Sequence, residues 1–161
     1  MAVILASVAF WTSVTFARVG DDDKPEVLKF RARFKRLKKS ERVALNHRVA
    51  AMGMTAEVRQ SIQKLIDDPA TDAHQRDFWK ARLDAKTMTD AELLNEVLVD
   101  WELRDSKDQF VAYTPAARAE LEEDLDGIET SLVKAYFDAV NKPVTAEEVE
   151  KNSEAQPVIT S

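Results

Sequence analysis

The sequence predicts an α+β fold, in which an N-terminal β-hairpin or small antiparallel sheet is followed by a mostly α-helical bundle. Residues 27 to 37 alternate apolar and basic side chains, which is the two-residue period of a half-buried strand. The rest of the chain carries several helix-start patterns, each followed by apolar residues at helical spacing. Only 3 glycines and 5 prolines occur among 161 residues, too few for the many tight turns of an all-β protein.

The first segments predict the hairpin. Residues 11 to 19 are rich in β-branched and aromatic side chains, and residues 20 to 25 read Gly-Asp-Asp-Asp-Lys-Pro, which is turn chemistry. The second strand has an apolar face with Leu28, Phe30, Ala32 and Phe34, and a basic face with Lys29, Arg31, Arg33 and Lys35. An isolated hairpin is marginally stable in water, so we expect it to pack on the helices or on other chains.

Three helices are predicted to follow the hairpin. The first covers residues 40 to 52, with Leu45, Val49 and Met52 facing inward. The second begins after the cap residue Thr55. The third covers residues 71 to 85 and is polar over most of its surface, which predicts a solvated outer helix.

The C-terminal half is predicted to form the core. Its first helix begins with a capping box at Thr89 and is predicted to run to Trp101, because apolar residues recur there at the spacing of one helical face. An aromatic run at residues 110 to 113 precedes a second helix capped by Thr114. A third helix, residues 128 to 140, presents one broad apolar side.

We predict a single domain overall, built from three segments. Residues 1–38 form an apolar arm and the hairpin, residues 39–142 a helical part packed with it, and residues 143–161 a short helix and mobile tail. The apolar start has no basic residue before Arg18, unlike a secretion signal, and is shorter than the roughly 20 residues of a membrane span. We therefore expect a buried strand or arm there, and no membrane partner.

The composition argues against several kinds of chemistry. Cysteine is absent, which excludes disulfides and thiolate sites, and three scattered glycines cannot form a phosphate-binding loop. His47 and His74 have no partner at ligand spacing, so we predict surface or helix-packing histidines. The acidic runs at residues 21–23 and 120–126 are predicted to be a turn and a solvated helix end. The prediction is therefore no enzyme, no catalytic residue, no metal and no cofactor.

The charge is unevenly divided along the chain. The first 48 residues carry 11 basic and 5 acidic residues, whereas the remainder carries 12 basic and 24 acidic residues, for a net charge of -6. A nucleic-acid partner is disfavoured, because the acidic part would repel phosphates and the phenylalanines face away from the basic side chains. A protein partner or self-association fits better. The predicted interaction residues are Lys29, Phe30, Arg31, Arg33, Phe34, Lys35, Trp101 and Phe110.

A set of linked segments resembles the tail assembly chaperones of long-tailed, siphovirus-like bacteriophages and prophages. The segments are Phe30-Arg31-Ala32-Arg33-Phe34-Lys35-Arg36-Leu37 before Ser40-Glu41, Thr89 to Trp101 with its Leu-Leu-Asn-Glu-Val-Leu-Val-Asp-Trp run, Tyr113-Thr114-Pro115, and Ala135-Tyr136-Phe137-Asp138-Ala139-Val140 with Lys151-Asn152 beyond it. Together they span residues 11 to 152. Two departures stand out: the loop from residue 104 to residue 109 lacks a glycine turn, and the apolar start is longer than in the family.

The resemblance implies a non-catalytic helper that binds the tape-measure protein, keeps it soluble and promotes polymerisation of the tail tube protein around it. It also implies self-association, residence in the host cytoplasm and absence from the mature virion. Many members are made in two lengths by ribosomal frameshifting, and this chain would correspond to the short form. Two other interpretations stay open: a structural tail or head-tail connector protein of the virion, and a small nucleic-acid-binding regulator.

Overall fold

The computed structural model describes residues 8–142, and the predicted short helix near residue 145 lies outside that range. The elements, in chain order, are β1 (Ala9–Val19), β2 (Pro25–Lys35), α1 (Lys39–Met52), α2 (Ala56–Asp67), α3 (Ala73–Asp84), α4 (Asp90–Val97), β3 (Leu98–Trp101), β4 (Leu103–Arg104), β5 (Phe110–Val111), α5 (Pro115–Asp124) and α6 (Ile128–Asn141). An N-terminal antiparallel sheet followed mainly by helices confirms the predicted α+β class.

The predicted hairpin is present, and its second strand is the central strand of a three-stranded sheet in the order β1-β2-β3. β1 and β2 pair along their whole length without a register shift, from Ala9 opposite Lys35 to Val19 opposite Pro25. The acidic run forms the turn, where Asp23 has a positive φ of 60° and the Gly20 N–H donates to the Lys24 carbonyl at 2.8 Å. The alternating residues of β2 therefore place its phenylalanines on one face of the sheet.

The core lies between the apolar face of the sheet and two helices. α6 packs on β1, and α4 packs on both α6 and β2. The ring of Phe34, fully buried, lies 5.4 Å from that of Tyr136 on α6. The other buried members of this core are Val14, Phe16, Phe30, Ala32, Leu45, Met88, Leu93, Leu94, Val97, Leu98, Trp101, Leu103, Ile128 and Leu132. The apolar face predicted for the last helix is therefore used against the hairpin.

The prediction of a helix running to Trp101 is wrong. α4 ends at Val97, and the chain continues as β3, which pairs with β2. In a regular strand, Leu98 and Trp101 would point to opposite faces, because they are three positions apart. The register between β2 and β3 shifts at Arg33 and Phe34, so β3 contains one extra residue between Leu98 and Trp101. Both side chains are buried as a result. The bulge therefore gives β3 buried apolar residues three positions apart, which is also the spacing on one face of a helix.

The helix starts of the C-terminal half were predicted correctly. The Thr89 hydroxyl accepts from the Glu92 N–H at 3.2 Å, and the Glu92 carboxylate accepts from the Thr89 N–H at 2.9 Å, which completes the capping box. The Thr114 hydroxyl accepts from the Ala117 N–H at 2.9 Å, with proline in the first turn of α5. The local sequence therefore sets where α4 and α5 begin.

The helices α1, α2 and α3 form a smaller unit beside this core. α3 contacts both α1 and α2, and it has no buried residue of its own, as expected for a solvated outer helix. Ile62 and Ile66 of α2 are buried, but they are not part of the main core. Leu45, predicted to face inward, is buried, as is Ala51, whereas Met52, also predicted to face inward, is 46% exposed.

A buried arginine connects the C-terminal helices. Arg118 on α5 is 2% exposed, and its guanidinium donates to the Glu129 carboxylate at 2.8 Å and to the Asn95 side-chain oxygen at 2.7 Å. It also donates to the Tyr113 hydroxyl at 3.0 Å and the Ala91 carbonyl at 3.2 Å. One cation thus joins α4, α5, α6 and the loop before α5. The sequence did not predict this contact, because its partners are up to 27 positions away along the chain.

We expect Arg118→Leu to lower the free energy of unfolding by about 3–5 kcal/mol, because it leaves the largely buried Glu129 carboxylate without its partner. Urea denaturation followed by circular dichroism measures the change. Lys134→Leu is the matched control, because it removes an exposed ion pair on α6 and should change stability by less than about 0.5 kcal/mol. Equal effects of the two variants would contradict the role given to Arg118.

Candidate functional site

The histidines do not form a reactive site. His47 on α1 is 7% exposed, lies 4.9 Å from the Phe78 ring, and accepts a hydrogen bond at Nδ1 from the Arg82 Nε at 3.2 Å. Burial lowers the pKa of His47 below its usual 6.5, and the positive charge of Arg82 lowers it further. His74 is exposed on α3. The prediction of a helix-packing histidine is confirmed for His47.

The acidic runs also have structural roles. Between residues 8 and 142, no group of three or more histidine, aspartate or glutamate side chains is arranged to hold a metal ion. In the second run, Glu122 is not merely solvated as predicted. Its carboxylate accepts from the Gly127 N–H at 2.9 Å and from the Glu129 N–H at 2.8 Å, so it caps the start of α6. Glu122 was missed because it reaches across the α5–α6 turn.

The accessible surface with a distinct chemical character is the outer face of the sheet. The side chains of Lys29, Arg31, Arg33 and Lys35, called here the basic row, all lie on the face of β2 opposite the core. Lys29, Arg31 and Lys35 are exposed, and Arg33 is half-buried. The predicted separation of basic and aromatic side chains onto two faces is therefore confirmed, and it rules out a base-stacking platform built from Phe30 and Phe34.

The strands on either side of β2 differ in charge. On the β3 side, Glu102 lies 3.8 Å from Arg31, and Asp100 is opposite Arg33. On the β1 side, the cross-strand partners of Lys29, Arg31 and Arg33 are Thr15, Ser13 and Trp11, none of them acidic. Among the described residues, Lys29, Arg33 and Lys35 form no ion pair within 4.0 Å. The positive charge of the basic row is therefore not neutralised on the side that faces β1.

The guanidinium of Arg31 leans toward β1. Its central carbon lies 5.3 Å from the centroid of the Trp11 ring, within the range of a cation–π contact. The side chain also reaches Glu102 on the other strand, but both groups are about half exposed, so this pair contributes little to stability. Positive charge is therefore placed over the edge strand and remains available to a partner.

β1 is the edge strand of the sheet and has no neighbour on its far side within the described part of the chain. Ser13, Thr15 and Ala17 on its outer face are exposed, and Val19 is 74% exposed. An edge strand presents a row of backbone N–H and carbonyl groups that can pair with another chain. The basic row and this open edge are next to each other on one surface.

The predicted aromatic contact residues are distributed differently. Phe30, Phe34 and Trp101 are 8%, 0% and 4% exposed and belong to the core, so no partner can reach them without local unfolding. We therefore assign them to core packing. Phe110 is 64% exposed on the separate β4–β5 sheet, with the Arg104 guanidinium 3.9 Å from its ring centroid.

A pocket of about 240 Å³ lies at the turn end of the hairpin. It is lined by Phe16, Leu28, Val27 and Leu125, with Arg18 and Glu26 paired at 2.8 Å beside them. Its walls are mainly apolar and it is partly open. It holds no converging set of ionisable groups of the kind that acid–base catalysis uses.

No family model, curated protein or solved structure matches the chain. None of the helices within residues 8–142 combines the length and apolar composition needed to cross a bilayer.

Because the pKa of His47 is lowered in the folded protein, we expect the protein to lose stability in acid. The unfolded chain binds a proton near pH 6.5, whereas the folded protein binds it only at lower pH, so stability is complete above about pH 6.5 and falls as the pH drops through that value toward the lowered pKa. We expect His47→Gln to flatten this dependence in thermal melts between about pH 8 and pH 5. His74→Gln, at an exposed position, is the control and should leave it unchanged. Parallel curves for the wild type and His47→Gln would refute the assignment.

Proposed function

We propose that the protein is a non-catalytic chaperone of phage tail assembly, which binds the tape-measure protein and promotes assembly of the tail tube around it. The single observation that carries this proposal is the basic row beside an open strand edge, on a chain whose net charge is -6. The resemblance of the four sequence segments supplies the identity of the client. Three of those segments supply the hairpin, the α4–β3 unit and the last helix, which together form the core.

The physical demands on such a chaperone fit this surface. A long client has to be held reversibly, by many weak contacts rather than by one deep site. Exposed ion pairs each contribute up to about 1 kcal/mol, so a row of four gives selective but reversible binding. Charge complementarity also raises the rate of encounter more than it raises affinity. The acidic remainder of the chain keeps the coated client soluble through mutual repulsion.

The partners that follow are the tape-measure protein, the tail tube protein and further copies of the chain. The oppositely charged parts of the sequence support self-association, because the basic hairpin of one copy attracts the acidic helices of another. We propose the host cytoplasm as the place of action and absence from the finished particle. No covalent chemistry is assigned to the protein.

A structural tail or head-tail connector protein is the second candidate. The observation in its favour is the long open edge of β1. A strand that is permanently paired in a finished particle does not need the features that prevent pairing with other chains. Mass spectrometry of purified particles separates the two functions. A chaperone is missing from the particle, whereas a connector is present in a fixed number of copies.

We expect Arg31→Glu combined with Arg33→Glu to reduce the soluble fraction of a co-expressed tape-measure fragment, with affinity lowered roughly tenfold or more. Reversing two charges of the basic row replaces attraction by repulsion toward an acidic client surface. The measurement is the distribution of the fragment between supernatant and pellet, with circular dichroism as the check on folding.

The matched control is Arg59→Glu combined with Lys64→Glu on α2, which makes the same change in net charge away from the sheet. It should leave client solubility at the wild-type level. If both double variants solubilise the client as well as the wild type does, the basic row is not the binding surface.

A further inference from the structure

The edge strand β1 lacks the features that normally prevent pairing with another chain. Natural edge strands are short, carry lysine or proline, or are twisted away by a bulge. β1 has 11 residues, and Arg18 near its end is its one charged residue. It contains no proline, and its register with β2 is unbroken. From Ser13 to Ala17 the far side of β1 has no neighbouring strand within residues 8–142, so a strand of this composition is suited to accept a partner strand there.

The direction of the free backbone groups follows from two hydrogen bonds. The Arg36 N–H donates to the Val8 carbonyl at 2.8 Å, so even-numbered residues of the hairpin point their backbone groups at each other. The Glu102 N–H donates to the Arg31 carbonyl at 2.8 Å, so odd-numbered residues of β2 face β3. By the same alternation, Ser13, Thr15 and Ala17 direct their N–H and carbonyl groups outward from the free edge.

The pocket at the turn end of the hairpin is lined by the same strand. Phe16 and Arg18 of β1 form part of its wall, together with Leu28 and Leu125. A strand added to an edge gains affinity from backbone hydrogen bonds and specificity from pockets for alternate side chains. A volume of about 240 Å³ accommodates an aliphatic side chain from such a strand. β1 therefore provides both the backbone groups for pairing and part of the pocket that would select a side chain.

A second copy of the chain is a poor occupant of this edge. Pairing two β1 strands would bring the two α6 helices together, since each lies over its own β1. Helices have a diameter of about 10 Å, whereas paired strands lie only about 4.8 Å apart. A single extended segment avoids this conflict.

Charge indicates the chemistry of that segment. Its outer-face side chains would lie beside Trp11, Ser13 and Thr15, and the guanidinium of Arg31 leans over Trp11 toward them. No acidic side chain lies on the outer face of β1 to compete for this positive charge. Its inner-face side chains would lie toward the core and the pocket, where apolar groups fit. The matching sequence therefore alternates acidic and apolar residues.

We propose that the free edge of β1 binds an extended segment of a partner polypeptide as a fourth strand, with acidic side chains on the face of the basic row and an apolar side chain in the pocket lined by Phe16, Leu28 and Leu125. This inference rests on the proposed function in that both require a polypeptide partner. It adds the conformation and chemistry of the bound segment.

Fluorescence anisotropy with the full chain and a labelled peptide tests the site directly. The probe has about eight residues and alternates glutamate with valine or leucine. We expect saturable binding, a loss of about tenfold or more when lysine replaces glutamate, and loss of binding when alternate backbone amides are N-methylated. Equal binding of the glutamate and lysine peptides, or full binding of the N-methylated peptide, would overturn the proposal.

Two pairs of variants locate the contact on β1. Thr15→Pro removes an outward N–H without touching the bonds to β2, so it should weaken peptide binding about tenfold, while Thr15→Val should bind normally. Ser13→Glu places a negative charge on the outer face and should also weaken binding, while Ser13→Gln should not. Since Ser13 and its neighbourhood are exposed, the Ser13 pair decides the question if Thr15→Pro fails to fold.

The outcomes distinguish this inference from the proposed function. If the peptide does not bind but the chain keeps a tape-measure fragment soluble, the strand-edge site is wrong and the chaperone function stands. If the peptide binds but no tape-measure fragment is protected, the site stands and the client is a different polypeptide. A wild-type dimer that Ser13→Glu dissociates, with no peptide binding, would assign the edge to a second copy and overturn the inference.

Discussion

The central strand β2 imposes the constraint on which both the fold and the candidate site depend. Because successive residues of a strand point to opposite faces, burying Phe30 and Phe34 forces the intervening arginines outward. A shift of one residue would place Arg31 and Arg33 in the core, at a cost no surface contact could offset. The hydrophobic core therefore fixes the geometry of the basic row, and the row needs no separate scaffold.

The helices hold this sheet by apolar packing and by one polar cluster. Tyr136 and its neighbours on α6 supply the apolar contact, while Arg118 on α5 bonds polar groups on two other helices, α4 and α6. A fully hydrogen-bonded arginine specifies a unique arrangement, because any other packing would leave a buried charge unpaired. This cluster lies among α4, α5 and α6, on the helical side of the molecule, so it supports the sheet without contributing to the surface that meets solvent.

Local signals predicted most of the element boundaries, and non-local contacts explain the failures. Caps at Thr55, Thr89 and Thr114 act within three residues, so they can be read from the sequence. Trp101 lies in a strand because it pairs with the edge of β2, about seventy positions earlier in the chain. A short window of sequence cannot contain both segments. Arg118 and Glu122 were missed for the same reason, since each acts through partners on other elements. The basic row and a hairpin edge beside it could be predicted, but which of the two hairpin edges β3 covers required the strand order.

α2 and α3 lie outside the main core, which divides the molecule into parts of unequal cooperativity. α3 has no buried residue, and α2 packs chiefly on α3 rather than on the sheet. Such a peripheral layer opens at a lower free energy than the whole protein does. His47 contacts Phe78 and Arg82 of α3, so its protonation acts on the packing of that layer and not on the sheet. The pairing that forms the candidate surface involves neither α2 nor α3.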